Sequence, residues 1–463
     1  MTYINDDFLI KSPAGQKLYF DYAKDMPIYD YHCHLSPQEI FEDRKYANLT
    51  DIWLGGDHYK WRAMRINGVG EDYILGHADP YEKFLEFAKT MPRLVGNPLY
   101  QWSHLELKRY FGIDKILNEQ SAPEIWAEAN ERLKNISTRS LIQQAKVTHI
   151  GTTDDPTDSL EFHAKIASDE SFSTKVFPSF RPDPAFKIEK PDFLHWLHKL
   201  ENAVGHKIVT IDQFRRALID RVGYFHAKGC RLADHGFEAF DFIPTGERKA
   251  GKIFSRKLEN RKISRKKAVR FRSYIISILA QEYARRGWTM QMHIGALRNT
   301  NSRMHRLYGA DIGFDSMGDS NCASALNAYL DSLDRDDLLP KTIVYNLNSK
   351  DNDVFASLMG NFPKSGVPAR VAFGTSWWFY DQKDGIEKQL TSFANLGVLG
   401  RFVGMVTDSR SFLSYARHEY FRRVLCNLLG SWVESNLIPE DYDLLGKLVQ
   451  DLCYNNAVEY FNM

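Results

Sequence analysis

Two histidines separated by one residue, His32 and His34, have a spacing suited to binding a metal ion. Alternate residues of an extended strand share a face and lie about 6.5 to 7 Å apart, so both imidazoles can point at one ion. The chain has 15 histidines among 463 residues, and a His-x-His pair should then occur by chance in about half of such chains. The pair therefore has to be judged together with other candidate ligands.

Further ligand-type side chains end or follow apolar runs elsewhere in the chain. His293 ends one such run, and Asp408 follows another. A catalytic divalent ion commonly takes three or four protein ligands and keeps one position open for water or substrate. The predicted ligand set consists of His32, His34, His293 and Asp408. For His293, a role in supporting the ligands or in contacting the substrate is the alternative.

Two arginines at the ends of strand-like runs would suit an acidic substrate. Arg181 ends a strand-like run, and Arg410 lies two residues beyond Asp408. Only arginine offers a planar, two-pronged grip on a carboxylate. Both residues are therefore candidates for binding a substrate carboxylate, with a surface position or an ordinary ion pair as the alternative.

Three other places in the sequence carry polar or aromatic candidates. The segment 57–65, Asp-His-Tyr-Lys-Trp-Arg-Ala-Met-Arg, contains His58 and Tyr59 and combines acids, bases and stacking groups within nine residues. An ordinary amphipathic helix is the alternative interpretation of that segment. Asp234 and Trp377 close two further strand-like runs. Asp234 could bind hydroxyls or orient a ligand, and Trp377 could face a sugar ring or simply cap the fold.

Several common catalytic motifs are missing from the sequence. It contains no Gly-x-Ser-x-Gly elbow, no Walker loop, no Gly-x-Gly-x-x-Gly fingerprint and no His-Glu-x-x-His. Covalent serine chemistry, nucleotide hydrolysis and dinucleotide redox chemistry are therefore unsupported. A site with a single metal ion is the leading hypothesis.

The elements that must position these residues are strand-like runs alternating with helical patterns, which is typical of a parallel sheet. Eight such runs predict an α/β fold of the (β/α)8 TIM-barrel type, in which the C-terminal ends of the strands carry the chemistry. The predicted strands are Ile28 to His34, Val147 to Thr152, Lys175 to Phe180, Cys230 to Asp234, Thr289 to Ile294, Thr342 to Leu347, Arg370 to Phe373, and Phe402 to Thr407.

The spacing of these runs is uneven. More than a hundred residues separate the first predicted strand from the second, which is too long for a simple crossover. We expect residues 40–145 to form a helical insertion that folds over the barrel mouth, with helical periodicity from Pro80 to Phe111 broken near Pro92 and Pro98. We expect the whole chain, 1–463, to form a single domain. The basic run from Arg248 to Arg272 is interpreted as a solvated helix face or a subunit contact.

The bulk composition narrows the class of protein. Sixty basic and 59 acidic side chains nearly cancel, which argues against nucleic-acid or membrane-surface binding. We find no 18-residue apolar run and no secretory signal pattern. Five cysteines without a Cys-x-x-Cys favour a reducing compartment. The expectation is a cytoplasmic enzyme with a small-molecule substrate, and a homo-oligomer is compatible with the sequence.

These segments resemble the amidohydrolase superfamily and, within it, the uronate isomerase family. The similarity extends over essentially the whole chain. It is carried by residues 29–35 (Tyr-Asp-Tyr-His-Cys-His-Leu), 57–65, 102–107, 293–298, 377–379 and 407–412. The His-x-His is common to the superfamily, whereas the segments 57–65 and 407–412 together are specific to the family.

The resemblance implies a distorted (β/α)8 barrel that interconverts D-glucuronate with D-fructuronate, and D-galacturonate with D-tagaturonate. It implies one divalent ion, with zinc favoured and manganese, iron or cobalt as alternatives. The implied metal positions are His32, His34, His293 and Asp408. The implied substrate and proton-transfer positions are His58, Tyr59, Arg181 and Arg410.

In the implied chemistry, the ion polarises the substrate carbonyl, and Asp408 or a hydroxide on the ion is the base. Tyr59 or His58 would move the proton at oxygen, and an arginine would hold the carboxylate. Hydrolytic relatives with two ions usually carry a lysine or glutamate on the fourth strand, where this chain has Asp234. This departure favours a single ion. The alternatives are a hydrolase of the same superfamily and a non-catalytic sugar-acid binding protein.

Overall fold

The chain forms an α/β fold built on parallel sheets, described for residues 2–462 in a computed structural model. The strands of the described residues are β1 (Ile28–Asp30), β2 (Val147–Gly151), β3 (Lys175–Phe177), β4 (Ser179–Phe180), β5 (Leu232–Phe237), β6 (Thr289–Ile294), β7 (Ala296–Leu297), β8 (Ser316–Met317), β9 (Lys341–Asn346) and β10 (Val371–Phe373).

Helices occupy most of the chain between the strands. They are α1 (Pro13–Leu18), α2 (Pro37–Phe41), α3 (Leu49–Leu54), α4 (His58–Ile66), α5 (Pro80–Thr90), α6 (Pro98–Phe111), α7 (Ala122–Leu133), α8 (Thr138–Gln144), α9 (Glu161–Ala167), α10 (Asp183–Phe186), α11 (Phe193–Val204), α12 (Ile211–Ala227), α13 (Glu247–Leu258), α14 (Arg265–Arg285), α15 (Ser302–Tyr308), α16 (Ala323–Asp334), α17 (Asn352–Leu358), α18 (Lys383–Leu396), α19 (Ala416–Glu434), α20 (Tyr442–Gln450) and α21 (Asn456–Phe461).

Two parallel sheets and one small antiparallel ribbon make up the strand pairing. The first sheet has the order β1-β2-β3, the second has the order β10-β9-β6-β5-β4, and β7 pairs with β8. The two parallel sheets adjoin at Pro178, which separates β3 from β4 and has no backbone N–H to donate. Asp154 bridges this break, because its N–H donates to the carbonyl of Ser179 at 2.9 Å and its carbonyl accepts from Arg181 at 2.9 Å.

Every predicted strand run except the last contains an observed strand. The prediction of a strand over 402–407 was wrong: these residues are buried but lie in no regular strand. The reason is local, since Gly404 has a φ of 126° and Asp408 a φ of 45°, and neither angle belongs to a pleated strand. The N–H of Thr407 donates to the carboxylate of Asp30 at 2.8 Å instead of to a neighbouring strand. No strand ladder closes into a barrel among residues 2–462.

The long interval between β1 and β2 contains the helices α2 to α8. The predicted helical stretch from Pro80 is divided as its prolines require: α5 ends at Thr90, a short 3-10 turn follows, and α6 starts at Pro98. Asn97 caps α6 by accepting from the N–H of Leu99 at 2.9 Å. Within this interval, α4 carries two of the candidate site residues on its first turn.

Two hydrophobic clusters hold the elements together. The larger one fills the space between the sheets and the surrounding helices. The smaller one includes Tyr31, Phe177, Leu232, Tyr345 and Val406, which come from both parallel sheets and from the irregular segment 402–407. Burying large apolar side chains in this way stabilises the fold by about 25 cal/mol for each Å² removed from water. Among residues 2–462, no helix is both long enough and apolar enough to cross a bilayer.

Candidate active site

His32 and His34 lie just beyond β1, where the chain stays extended. Cys33 N–H donates to the carbonyl of Gly151 at 2.8 Å, which continues the alignment of the first two strands. The extended backbone sends both imidazoles to the same side, while Cys33 is fully buried. Nε2 of His32 lies 3.1 Å from Oδ1 of Asp408, and Nε2 of His34 lies 3.0 Å from the same oxygen.

Asp408 reaches this position because the backbone turns sharply at its left-handed φ of 45°. Its N–H donates to the carbonyl of His32 at 3.2 Å. Oδ2 accepts from the indole N–H of Trp377 at 2.7 Å, so both carboxylate oxygens have partners. Burial opposes ionisation, but the hydrogen bonds with His32 and His34 outweigh it and hold the pKa of Asp408 well below its usual range. The carboxylate is therefore anionic.

His293, on β6, is held by a buried carboxylate on β5. Its Nδ1 lies 2.6 Å from Oδ1 of Asp234, and Oδ2 of Asp234 lies 3.0 Å from Nη1 of Arg181. This partner fixes Nδ1 as the protonated nitrogen and leaves Nε2 free to bind an ion or a substrate oxygen. Nε2 is buried and has no hydrogen-bond partner among the described residues. The ring of Tyr345 stacks on His293 at 4.2 Å.

The stacking of Tyr345 depends on a glycine. A Cβ at Gly374 would lie 2.3 Å from the tyrosine ring, so any side chain at this position would displace the ring. The hydroxyl of Tyr345 donates to Oε1 of Gln291 at 2.9 Å, which fixes the other end of the ring. His293 is thus confined on one face by an aromatic ring and on its edge by a carboxylate.

Two overlapping groups of side chains could hold a metal ion. The first is His32, His34 and Asp408, and the second is His32, Asp234 and His293, with the ligand atoms of each group within 4.8 Å of one another. His32 belongs to both, and its ring centroid lies 4.6 Å from that of His293. In the second group, Asp234 already neutralises Arg181. The first group is the better ion site because its carboxylate is not committed to an arginine.

The protonation of His34 and His293 suits metal binding, whereas that of His32 opposes it. Burial lowers the pKa of His34 to about 4, so its imidazole is neutral near pH 7. Burial also lowers the pKa of His293. For His32, burial acts in the same direction, but the negative charges of Asp234 and Asp408 outweigh it and raise the pKa. An ion that binds His32 therefore has to displace a proton more often than it does at His34.

His58 and Tyr59 face Asp408 across a cleft lined by residues 56–59 and 408–411. The carboxylate of Asp57 caps α4, accepting from the N–H groups of Tyr59 and Lys60 at 3.0 and 3.1 Å. This cap sets the first turn of α4 beside the candidate metal ligands. Burial, reinforced by the positive charge of Arg410, lowers the pKa of His58 to about 4, and burial raises the pKa of Tyr59 well above its usual value.

The two predicted arginines differ in their surroundings. Arg410 lines the cleft with His58 and Tyr59. Arg181 is paired with Asp234 at 3.0 Å and with Asp183 at 3.5 Å, and these acids outweigh burial and raise its pKa. Arg181 is thus attached to the His293 support rather than free in the cleft. Trp377 contacts the site through Asp408, as well as lying 4.7 Å from the ring of His293.

Three residues near the site were not selected from the sequence. Asp30 accepts from the N–H and the hydroxyl of Thr407 at 2.8 and 2.6 Å, and its alternation with His32 could have revealed it. Arg298 lies over the ring of Trp378 at 4.7 Å, within a segment already singled out. Arg417 lies nine residues beyond Asp408 in a helix, and no local pattern in the sequence distinguishes it.

Comparison with known proteins identifies the family. The sequence profile of the glucuronate isomerase family matches residues 1–461 of this chain. The chain belongs to the glucuronate isomerase family. A uronate isomerase of Caldanaerobacter subterraneus subsp. tengcongensis is 51% identical over 463 residues, covering 100% of this chain and 99% of its own. The similarity thus extends over the whole isomerase chain.

Two solved structures of glucuronate isomerase relatives show the same fold. The crystal structure of uronate isomerase from Thermotoga maritima has a TM-score of 0.94 and 31% sequence identity, and the similarity covers 100% of both chains. The crystal structure of glucuronate isomerase from Caulobacter crescentus has a TM-score of 0.92 and 25% identity, covering 99% of this chain and 97% of the other. The strand and helix arrangement described above is therefore that of this isomerase family.

Proposed function

We propose that the enzyme interconverts D-glucuronate with D-fructuronate, and D-galacturonate with D-tagaturonate, using one divalent ion. The observation that carries this proposal is the meeting of Asp408 with two histidines on one side and with His58, Tyr59 and Arg410 across a single cleft. Membership of the isomerase family supports the reaction type.

The donor atoms at the site fit a divalent ion of the zinc, manganese, iron or cobalt kind. Two imidazole nitrogens converge on one carboxylate oxygen at 3.0 and 3.1 Å, which is a compact nitrogen and oxygen ligand set. His32, His34 and Asp408 would hold the ion, with His293 as the further candidate through its free Nε2. When bound, the ion acts as a Lewis acid that polarises the substrate carbonyl and the adjacent hydroxyl. We favour zinc as the ion.

A single ion fits the shared position of His32. Because His32 belongs to both candidate ligand groups, two ions would compete for one imidazole. Asp234, at the position where hydrolytic relatives with two ions carry a bridging residue, binds His293 with one oxygen and Arg181 with the other. We therefore assign Asp234 to orienting His293 and holding Arg181.

The reaction moves a proton between two carbons and another between two oxygens. A base removes the proton from C2 of the open-chain aldose, and an acid places a proton on O1 to give the enediol. Protonation at C1 with loss of the proton at O2 then yields the ketose. We assign the removal of the proton at C2 to Asp408, whose low pKa keeps the carboxylate ionised. Tyr59, protonated because burial raises its pKa, and neutral His58 are assigned to the oxygen protons.

The charged end of the substrate requires a separate contact. Arg410 lines the cleft and is assigned to the carboxylate at C6, with Arg181 held beside the site by Asp234. Trp377 keeps Asp408 in place through the 2.7 Å bond to Oδ2 and faces the sugar. Binding energy from the carboxylate end would orient C1 and C2 against Asp408 and Tyr59.

We propose that residues 1–463 form one domain, a distorted (β/α)8 barrel in which the buried segment 402–409 takes the place of the eighth strand. Its side-chain bonds with Asp30 and the bond from His34 N–H to the carbonyl of Ser409 at 2.9 Å support this arrangement. The helices of residues 40–145 would then cover the mouth of the barrel. Five unpaired, buried cysteines support a cytoplasmic location.

Proton NMR in deuterated water tests the proposed function. The purified protein, loaded with zinc, is incubated with D-glucuronate and separately with D-galacturonate. We expect the isomeric ketose to form, with deuterium entering C1 of the ketose or C2 of the recovered aldose. Turnover of a lactone or an amide instead of the two uronates would identify a hydrolase, and binding of a uronate without turnover would identify a binding protein. Conversion of neither sugar acid would refute the proposal.

A further inference from the structure

Arg417 is a buried residue that contacts the active-site residues without lining the cleft. It occupies the first turn of α19, and only 3% of its side chain is exposed. Its guanidinium lies 4.1 Å from the ring of Trp102 and 5.4 Å from the ring of Tyr59. A buried cation held against the face of a tyrosine restrains the position of that ring, and such contacts are strongest when water is excluded.

The same guanidinium also contacts the backbone that leads to the metal ligand. Nη1 of Arg417 donates to the carbonyl of Thr407 at 3.3 Å. Thr407 directly precedes Asp408, and its N–H and hydroxyl are already held by Asp30. Thr407, the residue before Asp408, is thus fixed at its N–H by Asp30 and at its carbonyl by Arg417.

The charge of Arg417 is compensated inside the protein. Its Nη1 lies 3.9 Å from Oδ2 of Asp381. Burial lowers the pKa of Arg417, but Tyr59 and the acids Asp381, Asp57 and Glu106 outweigh it and raise the pKa. Lys60 pairs with Asp57 at 2.7 Å, so this acid is shared between two cations. A cation buried at this depth without acids would be strongly unfavourable. The surrounding acids keep Arg417 charged at the point where it contacts both Tyr59 and Thr407.

We propose that Arg417 is a positioning residue that sets the phenol of Tyr59 and the carboxylate of Asp408 at a fixed separation. The proposal rests on the function inferred above, in which Tyr59 serves an oxygen of the substrate and Asp408 the adjacent carbon. These two groups come from segments about 350 residues apart, and Arg417 contacts both segments. Misplacing one reacting group by about 1 Å can cost on the order of 10²-fold in rate.

Substitution of Arg417 by lysine and by methionine tests this role. Lysine keeps the charge but has no planar group to lie on a ring while donating in its plane, and methionine removes both features. We expect kcat to fall on the order of 10²-fold in Arg417→Met and less in Arg417→Lys, with KM and bound metal unchanged. A rise in KM or a loss of metal without a fall in kcat would overturn the proposal.

A double-mutant cycle with Tyr59→Phe separates positioning from general damage. If Arg417 positions the phenol relative to Asp408, Arg417→Met should lower kcat by a clearly smaller factor in the Tyr59→Phe background than in the unmodified enzyme, because the loss through the phenol is then already present. Equal effects in both backgrounds would refute the role. Arg422→Lys is the matched control, because Arg422 is buried in the same helix but donates to the carbonyls of Met26 and Pro27 at 2.7 Å. It should leave kcat unchanged.

A structural readout keeps the inference testable if neither sugar acid is a substrate. 3-Fluorotyrosine placed at position 59 gives one fluorine NMR signal that reports the surroundings of the ring. We expect Arg417→Met to shift or broaden this signal and Arg422→Lys to leave it unchanged. An unaltered signal in Arg417→Met would refute the positioning role. Failure of turnover in the unmodified enzyme would instead refute the proposed function.

Discussion

Nδ1 of His293 on β6 lies 2.6 Å from Oδ1 of Asp234 on the neighbouring strand β5 of the second sheet. Both side chains are almost completely inaccessible to solvent. The pairing determines which imidazole nitrogen carries the proton and aims the other, unpartnered nitrogen at the candidate metal site. Because Asp234 also pairs with Arg181, one carboxylate connects the histidine to the positive charge beside the cleft.

Replacing Asp234 with asparagine should therefore weaken the site without removing a cleft residue. We expect metal affinity or turnover to fall about 10- to 100-fold, as for other supports of metal-site histidines. Titration of the metal-free protein with zinc, followed by metal analysis, measures the affinity. Asp154→Asn is a matched control, because Asp154 is a buried acid hydrogen-bonded to Thr152 and not to His293. Equal losses in both variants would contradict the assignment.

Asp408→Asn should remove the base while keeping an oxygen ligand. We expect kcat for D-glucuronate to fall at least on the order of 10²-fold, which is the usual contribution of a general base. The measurement has to be made on protein whose bound metal equals that of the unmodified enzyme. Exchange of the C2 proton with deuterated water should disappear in parallel. Full activity in metal-loaded Asp408→Asn would show that another group removes the proton.

Arg410→Met should impair recognition of the substrate carboxylate more than the chemistry. We expect kcat/KM for D-glucuronate to fall by about 10- to 100-fold, corresponding to the loss of a charge-assisted hydrogen bond of about 1.5 to 3 kcal/mol. Activity toward a neutral aldose such as D-glucose should be little changed. Arg401→Met, which removes an exposed ion pair with Glu459, serves as the control and should change neither value. A selective loss on D-glucose would contradict this assignment.

Asp154 and His163, a buried pair outside the site, should change the free energy of unfolding in opposite directions as the pH falls. Burial raises the pKa of Asp154 to about 7 and lowers the pKa of His163 to about 4, and both are hydrogen-bonded to Thr152. Between pH 4 and 6.5 the folded protein holds one proton on the pair, on Asp154. The unfolded chain also holds one, on His163, so the pair adds almost no pH dependence.

Single substitutions of this pair should reveal the cancellation. In His163→Gln only Asp154 remains, so the free energy of unfolding should rise, relative to unmodified protein, as the pH falls from 6.5 to 4. In Asp154→Asn only His163 remains, so the same quantity should fall as the pH is lowered. The limiting slope is about 1.4 kcal/mol for each pH unit. Denaturant unfolding of the metal-free proteins measures it, and parallel pH curves for the two variants would exclude these protonation states.

The sequence was a good guide wherever one periodic pattern determined the local structure. Alternation after β1 predicted that His32 and His34 share a face, and both nitrogens point at Asp408. Apolar runs with strand-like residues located every strand of the two parallel sheets. These features depend on residues close together in the chain, whose geometry is set by the period of the element.

Features that depend on positive φ angles or on distant partners were not predictable. Gly404 interrupts a run whose composition is that of a strand, Asp408 turns the chain directly after it, and only their backbone angles show why. Arg417 carries no local signal, because its importance comes from contacts with Tyr59 and Trp102, which lie far away in the sequence, and with an irregular segment at Thr407. Such contacts are determined by tertiary packing rather than by propensity.

The irregular segment 402–409 brings Asp408 beside His32, which lies near the other end of the chain. His32 and Asp408 are 376 residues apart, so an ion shared by them would close a loop containing most of the polypeptide. Closing a long loop removes conformational entropy from the unfolded chain, and any ligand bound only by the native state stabilises it by mass action. The metal would then link a segment near the beginning of the chain to a segment near its end. Removing the metal with a chelator should speed amide-proton exchange in the segments around His32 and Asp408 together, before exchange begins in the central strands.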